Sequence, residues 1–263
     1  MVSTFEVLPA AGPRRPVVAH VPHSSSRIPD EFRGQILLDH AALARELVRM
    51  TDWHTDGLFE SLRELGAQMF VNRLSRLVVD PERFPDDDDE PSARYGQGAV
   101  YTHTSDGAEL RRPSPAERQA MIDGIYVPYH AALTDLVTDV VGDFGECLIV
   151  DCHSFGSVPL PSEPDQAADR PDICVGTDAF HTPAALAARF EAAFTAQGFR
   201  VKRDSPFSGA LVPLRYYGTD ARVTAVMVEV NRRLYCDESS GEPLPGFAAV
   251  GAAVGRAIAT ALG

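Results

Sequence analysis

Four apolar residues, Cys147-Leu148-Ile149-Val150, run straight into Asp151-Cys152-His153-Ser154, and this junction restricts the folds open to the chain more than any other segment. A short, continuous, partly β-branched run reads as a strand covered on both faces, as in parallel sheets packed between helices. In such sheets ligands bind in the crevice beyond the carboxyl ends of the strands. A carboxylate, an imidazole and a hydroxyl are therefore delivered to that crevice. Val17-Val18-Ala19-His20-Val21 ends in the same way, in Pro22-His23-Ser24-Ser25-Ser26, and Val223-Thr224-Ala225-Val226-Met227-Val228 ends at Glu229.

Helix signals alternate with these runs. Asp39 can cap a helix with apolar Leu43, Leu47 and Met50, and Leu58-Phe59-Leu62-Leu65 form a second amphipathic segment closed by Gly66. Ser114-Pro115-Ala116-Glu117 combines a capping box with Pro at the first helical position and predicts a helix to about Val141. Thr182-Pro183 opens an alanine-rich helix that stops near Gly198, and Phe247 to Leu262 is a small-residue helix. Further strands are predicted at Met69-Phe70-Val71, Leu77-Val78-Val79 and Ile173-Cys174-Val175. The alternation predicts the α/β class: a single domain over residues 1–263, with a mixed, mainly parallel sheet flanked by helices. Residues 81–113 keep neither period, and a loop that long in a compact domain is expected to wall an active site. Pro-rich residues 158–171 form a second loop.

A net charge of −13 opposes binding to nucleic acid or anionic membranes, since both require a positive patch. No stretch approaches the roughly 20 apolar residues of a membrane span, and the first residues do not read as a signal peptide, so a cytoplasmic protein is expected. The four cysteines, Cys147, Cys152, Cys174 and Cys236, form no CxxC pair and read as reduced, mostly buried thiols. The run from Asp86 to Glu90 matches no EF-hand spacing and reads as a solvated charge cluster.

Two histidines at two strand ends suggest a metal. A catalytic zinc takes about three protein ligands from neutral His and carboxylate and keeps one position for water. His23 and His153 suit this role, and Thr51-Asp52-Trp53-His54-Thr55-Asp56 offers three candidates for the third ligand, Asp52 being preferred. The same cluster also reads as a helix cap. Asp151 and His54 are candidates for holding ligand side chains in position from behind. No G-x-S-x-G elbow supports a serine hydrolase, and Cys152 and His153 point to opposite faces of a strand, which argues against a Cys-His pair.

Val21-Pro22-His23-Ser24-Ser25, Thr51-Asp52-Trp53-His54, Ser75-Arg76-Leu77-Val78-Val79-Asp80 with Arg83, Pro128-Tyr129-His130, Asp151-Cys152-His153-Ser154 and Glu229 resemble, in order, the motifs of the N-formylglutamate amidohydrolases. The resemblance spans roughly residues 17–238. It implies a zinc-carboxypeptidase-like, phosphorylase/hydrolase-type fold and zinc-dependent cleavage of N-formyl-L-glutamate to formate and glutamate in histidine degradation. It further implies metal binding by His23, Asp52 and His153, with Glu229 as the general base that moves a proton from metal-activated water to the departing amine.

A substrate with two carboxylates calls for fixed cations, and the planar fork of arginine suits them. Arg76, Arg83 and Arg215 are the candidate clamps, and His130 is a candidate donor to the developing oxyanion. The chain departs from the family pattern at Ser24-Ser25-Ser26 and at Asp80-Pro81-Glu82-Arg83, where the family often reads Asp-Leu-Asn-Arg. A Glu82 facing the pocket would disfavour a second substrate carboxylate, which opens the possibility of a related N-formyl or N-acyl amino acid. The alternative from another class is a non-catalytic metal or amino-acid binding protein. The oligomeric state is not legible in the sequence.

Overall fold

The computed structural model describes residues 4–263. Its elements follow in the order β1 (Phe5–Leu8), β2 (Val17–Val21), α1 (Asp30–Arg33), α2 (His40–Met50), α3 (Thr55–Leu58), α4 (Ser61–Glu64), β3 (Gln68–Asn72), α5 (Pro115–Met121), α6 (Val127–Phe144), β4 (Cys147–Phe155), β5 (Ile173–Gly176), α7 (Ala184–Ala196), β6 (Val201–Arg203), β7 (Val223–Asn231) and α8 (Phe247–Leu262). One mixed sheet takes all seven strands in the order β1-β3-β2-β4-β7-β5-β6. β3, β2, β4 and β7 are mutually parallel, and antiparallel pairings attach β1 to β3 and β5 to β7. This is the predicted α/β architecture.

Alternation along each strand divides the core into two layers. Val17, Ala19 and Val21 of β2, Val150 and Cys152 of β4, and Val226 and Val228 of β7 face α3, α4, α7 and α8, where Leu58, Leu62, Phe190, Phe194 and Ile258 pack. Val18, Ile149 and Ala225 face the other way, onto Tyr129, Leu133, Val137 and Val140 of α6. Fully burying one such side chain contributes roughly 1.5–3 kcal/mol. All four cysteines are free and buried, and no helix among the described residues is long and apolar enough to cross a membrane.

Local signals are used as the sequence predicts at two helix starts. Asp39 accepts the Ala42 N–H at 2.7 Å, and Ser114 and Glu117 form a reciprocal capping box. The long helix differs from expectation: one π turn, Ile122–Tyr126, separates α5 from α6, which runs on to Phe144 and ends at Gly145 with φ 82°. Pro128 explains the turn. It has no N–H to offer the preceding turn, and a single wide turn just ahead accommodates its ring without ending the helix.

Leu77-Val78-Val79 is not a strand. The Ser75 hydroxyl accepts the Leu77 N–H at 3.2 Å, Val78 N–H bonds back to the Ser75 carbonyl, and buried Arg111 takes the carbonyls of Leu77 and Val78. The side chains are buried as a strand's would be, so an apolar run of three carries no information about period. β4 and β7 also continue past Asp151 and Glu229, to Phe155 and Asn231, while the short edge strands β1 and β6 give no sequence signal.

Candidate active site

The register of the central strands assembles the site. His20 of β2 lies opposite Asp151, and His153 opposite Glu229. The alternation that sends Cys147 and Ile149 under α6 sends Asp151 and His153 along the same face toward the carboxyl end. There a cleft of about 490 Å³ opens, in the ordinary size range of small-molecule sites. Its walls include residues of the 81–113 segment (Pro81, Glu82, Arg83, Glu90), as expected, and Leu160 and Glu163 of the Pro-rich loop. Asp86 to Asp89 are exposed, whereas Glu90 turns inward and accepts the Phe84 and Ser92 amides.

His23, Asp52 and His153 converge, each offering one ligand atom, with all of these atoms within 4.8 Å of one another. Asp52 Oδ2 lies 3.7 Å from His23 Nδ1 and 3.2 Å from His153 Nδ1. The opposite nitrogens are engaged from behind: His23 Nε2 by Asp80 Oδ1 at 2.8 Å and His153 Nε2 by Asp151 Oδ1 at 3.1 Å. Carboxylates on the far nitrogens orient both rings and turn both Nδ1 atoms inward, the arrangement of metal-binding histidines. His23 Nδ1 is buried with no hydrogen-bond partner. A buried polar atom without a partner calls for an explanation, and the donor set fits a divalent metal such as zinc.

Asp52 reaches this position because α2 ends at Thr51 and the next residues turn sharply through His54, with φ 60°. The Asp52 N–H bonds the His23 carbonyl at 3.0 Å, and its Oδ2 also accepts the Ser154 N–H at 3.2 Å. The side chain makes no helix-capping bond, since α3 starts after His54 without a side-chain cap. His54 itself lies elsewhere: its Nε2 donates to the Gly241 carbonyl at 2.8 Å, and its ring meets Phe247 edge-on. The expectation that it backs the ligands is corrected. Asp80 takes that place behind His23, and it also accepts from Arg76 Nη2 at 2.8 Å and Tyr101 Oη at 2.6 Å.

Asp151 backs His153, not His23, and it also holds His20, a residue with no assigned role in the sequence reading. His20 Nδ1 lies 2.8 Å from Asp151 and 3.2 Å from Glu82, and its Nε2 is hydrogen-bonded with Tyr129 Oη at 2.6 Å. Burial alone would lower its pKa, but bonds to Asp151 and Glu82 outweigh that and push it up to about 9. His20 is therefore an imidazolium at neutral pH. A histidine inside a run of buried valines was the available signal, since a polar side chain there must find partners.

Glu229 lines the cleft beside His153, and its Oε2 is buried with no partner. Burial pushes its carboxyl up to about 8. His130 also lines the cleft, its ring tilted against that of Tyr126 with centroids 4.1 Å apart. Its Nε2 donates to the Pro81 carbonyl at 2.9 Å, and burial lowers its pKa to about 4. The Pro81 carbonyl takes the Nε2 proton, and in the neutral ring Nδ1 is an acceptor.

Of the three expected arginines, Arg76 and Arg83 line the cleft. Arg215 does not: it is exposed over a separate hollow formed with Thr138, Thr219 and Arg222. Val212 and Tyr216 are the buried anchors of its loop, and Arg215 falls between them on the outer side. Arg232, not among the arginines expected to clamp the substrate, is buried at the cleft wall just beyond β7.

The sequence profile of N-formylglutamate amidohydrolase matches residues 15–236. The chain is 31% identical over 242 residues to an N-formylglutamate deformylase of Pseudomonas aeruginosa, covering 89% of this chain and 87% of that protein. It is 29% identical over 233 residues to one of Pseudomonas putida, covering 86% and 84%. Among solved structures, an N-formylglutamate amidohydrolase from Ralstonia eutropha superposes with a TM-score of 0.86 at 23% identity, over 99% of this chain and 97% of that one. A protein from Agrobacterium tumefaciens follows the same fold with a TM-score of 0.71 at 21% identity, over 97% and 94%. The chain belongs to the N-formylglutamate amidohydrolase family, and it is a hydrolase acting on an amide.

Proposed function

We propose that this chain is a zinc-dependent deformylase that hydrolyses N-formyl-L-glutamate, or a closely related N-formyl or N-acyl amino acid, to formate and the free amino acid. The observation that carries this reading is the inward pair of Nδ1 atoms on His23 and His153 with Asp52 between them, beside the unpartnered Oε2 of Glu229. The Pseudomonas relatives, deformylases of N-formylglutamate, supply the substrate class. His23, Asp52 and His153 would hold the ion, which supplies Lewis acidity at the amide carbonyl and acidifies water at neutral pH.

The chain's own residues do the rest. Asp80 and Asp151 fix the two imidazole rings, and the Ser154 N–H fixes Asp52. Glu229 takes the proton of the attacking water at Oε2 and returns it to the departing amine. Its burial makes the carboxyl ready to carry that proton, while positive charge beside it favours the carboxylate at the start of the cycle. Glu82 faces the cleft with its Oε1 3.2 Å from His20 Nδ1, whose positive charge it shares with Asp151. Arg76 and Arg83 are proposed to contribute positive potential to the same pocket.

Formate release from N-formyl-glutamate and from a panel of N-acyl amino acids, before and after complete metal removal, tests the proposal. Turnover that depends on the metal and is greatest for N-formyl-glutamate is the expected result. Unchanged turnover without metal overturns the zinc reading, and no turnover of any member by the metal-loaded protein favours a binding protein.

A further inference from the structure

Four arginines line the cleft: Arg49, Arg76, Arg83 and Arg232. Three have carboxylates at hand. Arg49 pairs with Asp106 at 3.0 Å, Arg76 with Asp80 at 2.8 Å, and Arg83 lies 3.9 Å from both Asp80 and Glu90. Arg232 makes no ion pair among the described residues, although it is 93% buried by its 7% residual exposure. The nearby acid Glu163 is taken by Arg170.

Only one nitrogen of Arg232 is used. Nη1 donates to the carbonyls of Val48, Arg49 and Thr51, at 3.4, 2.9 and 2.7 Å, where α2 ends. Nε is buried without a partner, and no hydrogen bond of Nη2 is found among the described residues. Nε and Nη2 form one edge of the guanidinium, the edge that takes both oxygens of a carboxylate. Gly156 lies against this edge: a Cβ at that position would sit 3.2 Å from Nη2, and Glu238, whose Oε1 is 3.5 Å from the same point, accepts the Ser157 N–H and hydroxyl instead of pairing with Arg232. The three carbonyls hold the side chain in one pose, so little freedom is lost when an anion binds.

We infer that Arg232 is the specificity-determining clamp of the site, gripping one carboxylate of the substrate through Nε and Nη2; this rests on the proposed N-formyl amino acid substrate. The anion supplies the counter-charge that the protein withholds from this arginine alone among the four. Placement three residues beyond Glu229, on the same chain segment, ties the clamp to the proton-transferring group.

The test compares wild type, Arg232→Lys and Arg232→Met on three ligands: N-formyl-glutamate, N-formyl-glutamine, which lacks the side-chain carboxylate, and the α-amide of N-formyl-glutamate, which lacks the other. KM and kcat are measured on metal-loaded protein, and Kd by calorimetry on metal-stripped protein. Arg232→Lys keeps a cation for the α2 carbonyls but loses the two-nitrogen edge. Expected is a KM and Kd for N-formyl-glutamate raised on the order of 10- to 100-fold in both variants. For the ligand lacking the gripped carboxylate the wild type is already weak, and the substitutions change little, which identifies the carboxylate. An equal loss for all three ligands, or no loss, overturns the clamp and leaves Arg232 as a tie for α2. If wild type binds N-formyl-glutamate without turning it over, the Kd comparison still decides the clamp while the proposed function fails separately.

Discussion

Two clusters, one lining the cleft and one reaching behind it, have nearly the same composition and different character. His23, Asp52 and His153 bring ligand atoms within 4.8 Å of one another, and so do His20, Glu82 and Asp151. In the second cluster each ring nitrogen of His20 has a protein partner, Asp151 on one side and Tyr129 on the other. In the first, the far nitrogens are engaged and the near ones face inward, with His23 Nδ1 left bare. In the second cluster the imidazolium of His20 faces two carboxylates and the bare atom is an acceptor, Glu82 Oε1; in the first the bare atom is a ring nitrogen facing Asp52. A bare ring nitrogen turned inward, more than the count of His and Asp, marks the first cluster as the candidate metal site.

The comparison is broken most directly by Asp52→Ala. Metal content, measured by mass spectrometry, is expected to vanish together with formate release, and full retention of metal would place the ion elsewhere. Glu229→Gln should keep the metal and lose on the order of 10²–10⁴-fold in kcat; a loss below tenfold removes Glu229 from proton transfer.

His20→Leu should do the reverse, retaining metal while losing about 3–5 kcal/mol in urea unfolding, because the charges of Glu82 and Asp151 lose their cation. The pH dependence follows from the raised pKa. Stabilisation by His20 is complete below the unfolded value of about 6.5 and is lost as pH rises through about 9, so stability of the wild type falls across that window. A His20→Leu protein with the same decline would contradict the assignment. The smallest effect is expected for Asp80→Asn, a 10–100-fold weaker metal affinity in chelator competition with the fold retained.

The central strands and the convergence of His23, Asp52 and His153 were legible because each rests on a local pattern: an apolar run, a capping residue, a polar side chain just beyond a strand. Asp151 was placed behind the ligands for the same reason. His20 and Arg232 were not, because their meaning depends on what lies opposite, Asp151 across the sheet and the end of α2 across the cleft. Arg215 and His54 resembled site residues in type and neighbourhood, yet one falls outside its loop's buried anchors and the other points to Gly241. Leu77-Val78-Val79 shows the same limit for the backbone.

The π turn at Ile122–Tyr126 carries one residue more than an α-helical turn. Each added residue rotates all that follows by about 100° around the helix axis. The stretch from Pro115 to Tyr126 packs Met121, Ile122 and Ile125 beneath Val78 and Val100, while after it Tyr129, Leu133 and Val137 pack on the sheet. One helix thus works in two phases, and the change of phase is what brings Tyr129 to His20 and His130 to the Pro81 carbonyl. Deleting a single residue between 122 and 126 would restore a regular helix and send one half of it, with its side of the cleft, out of step with the other.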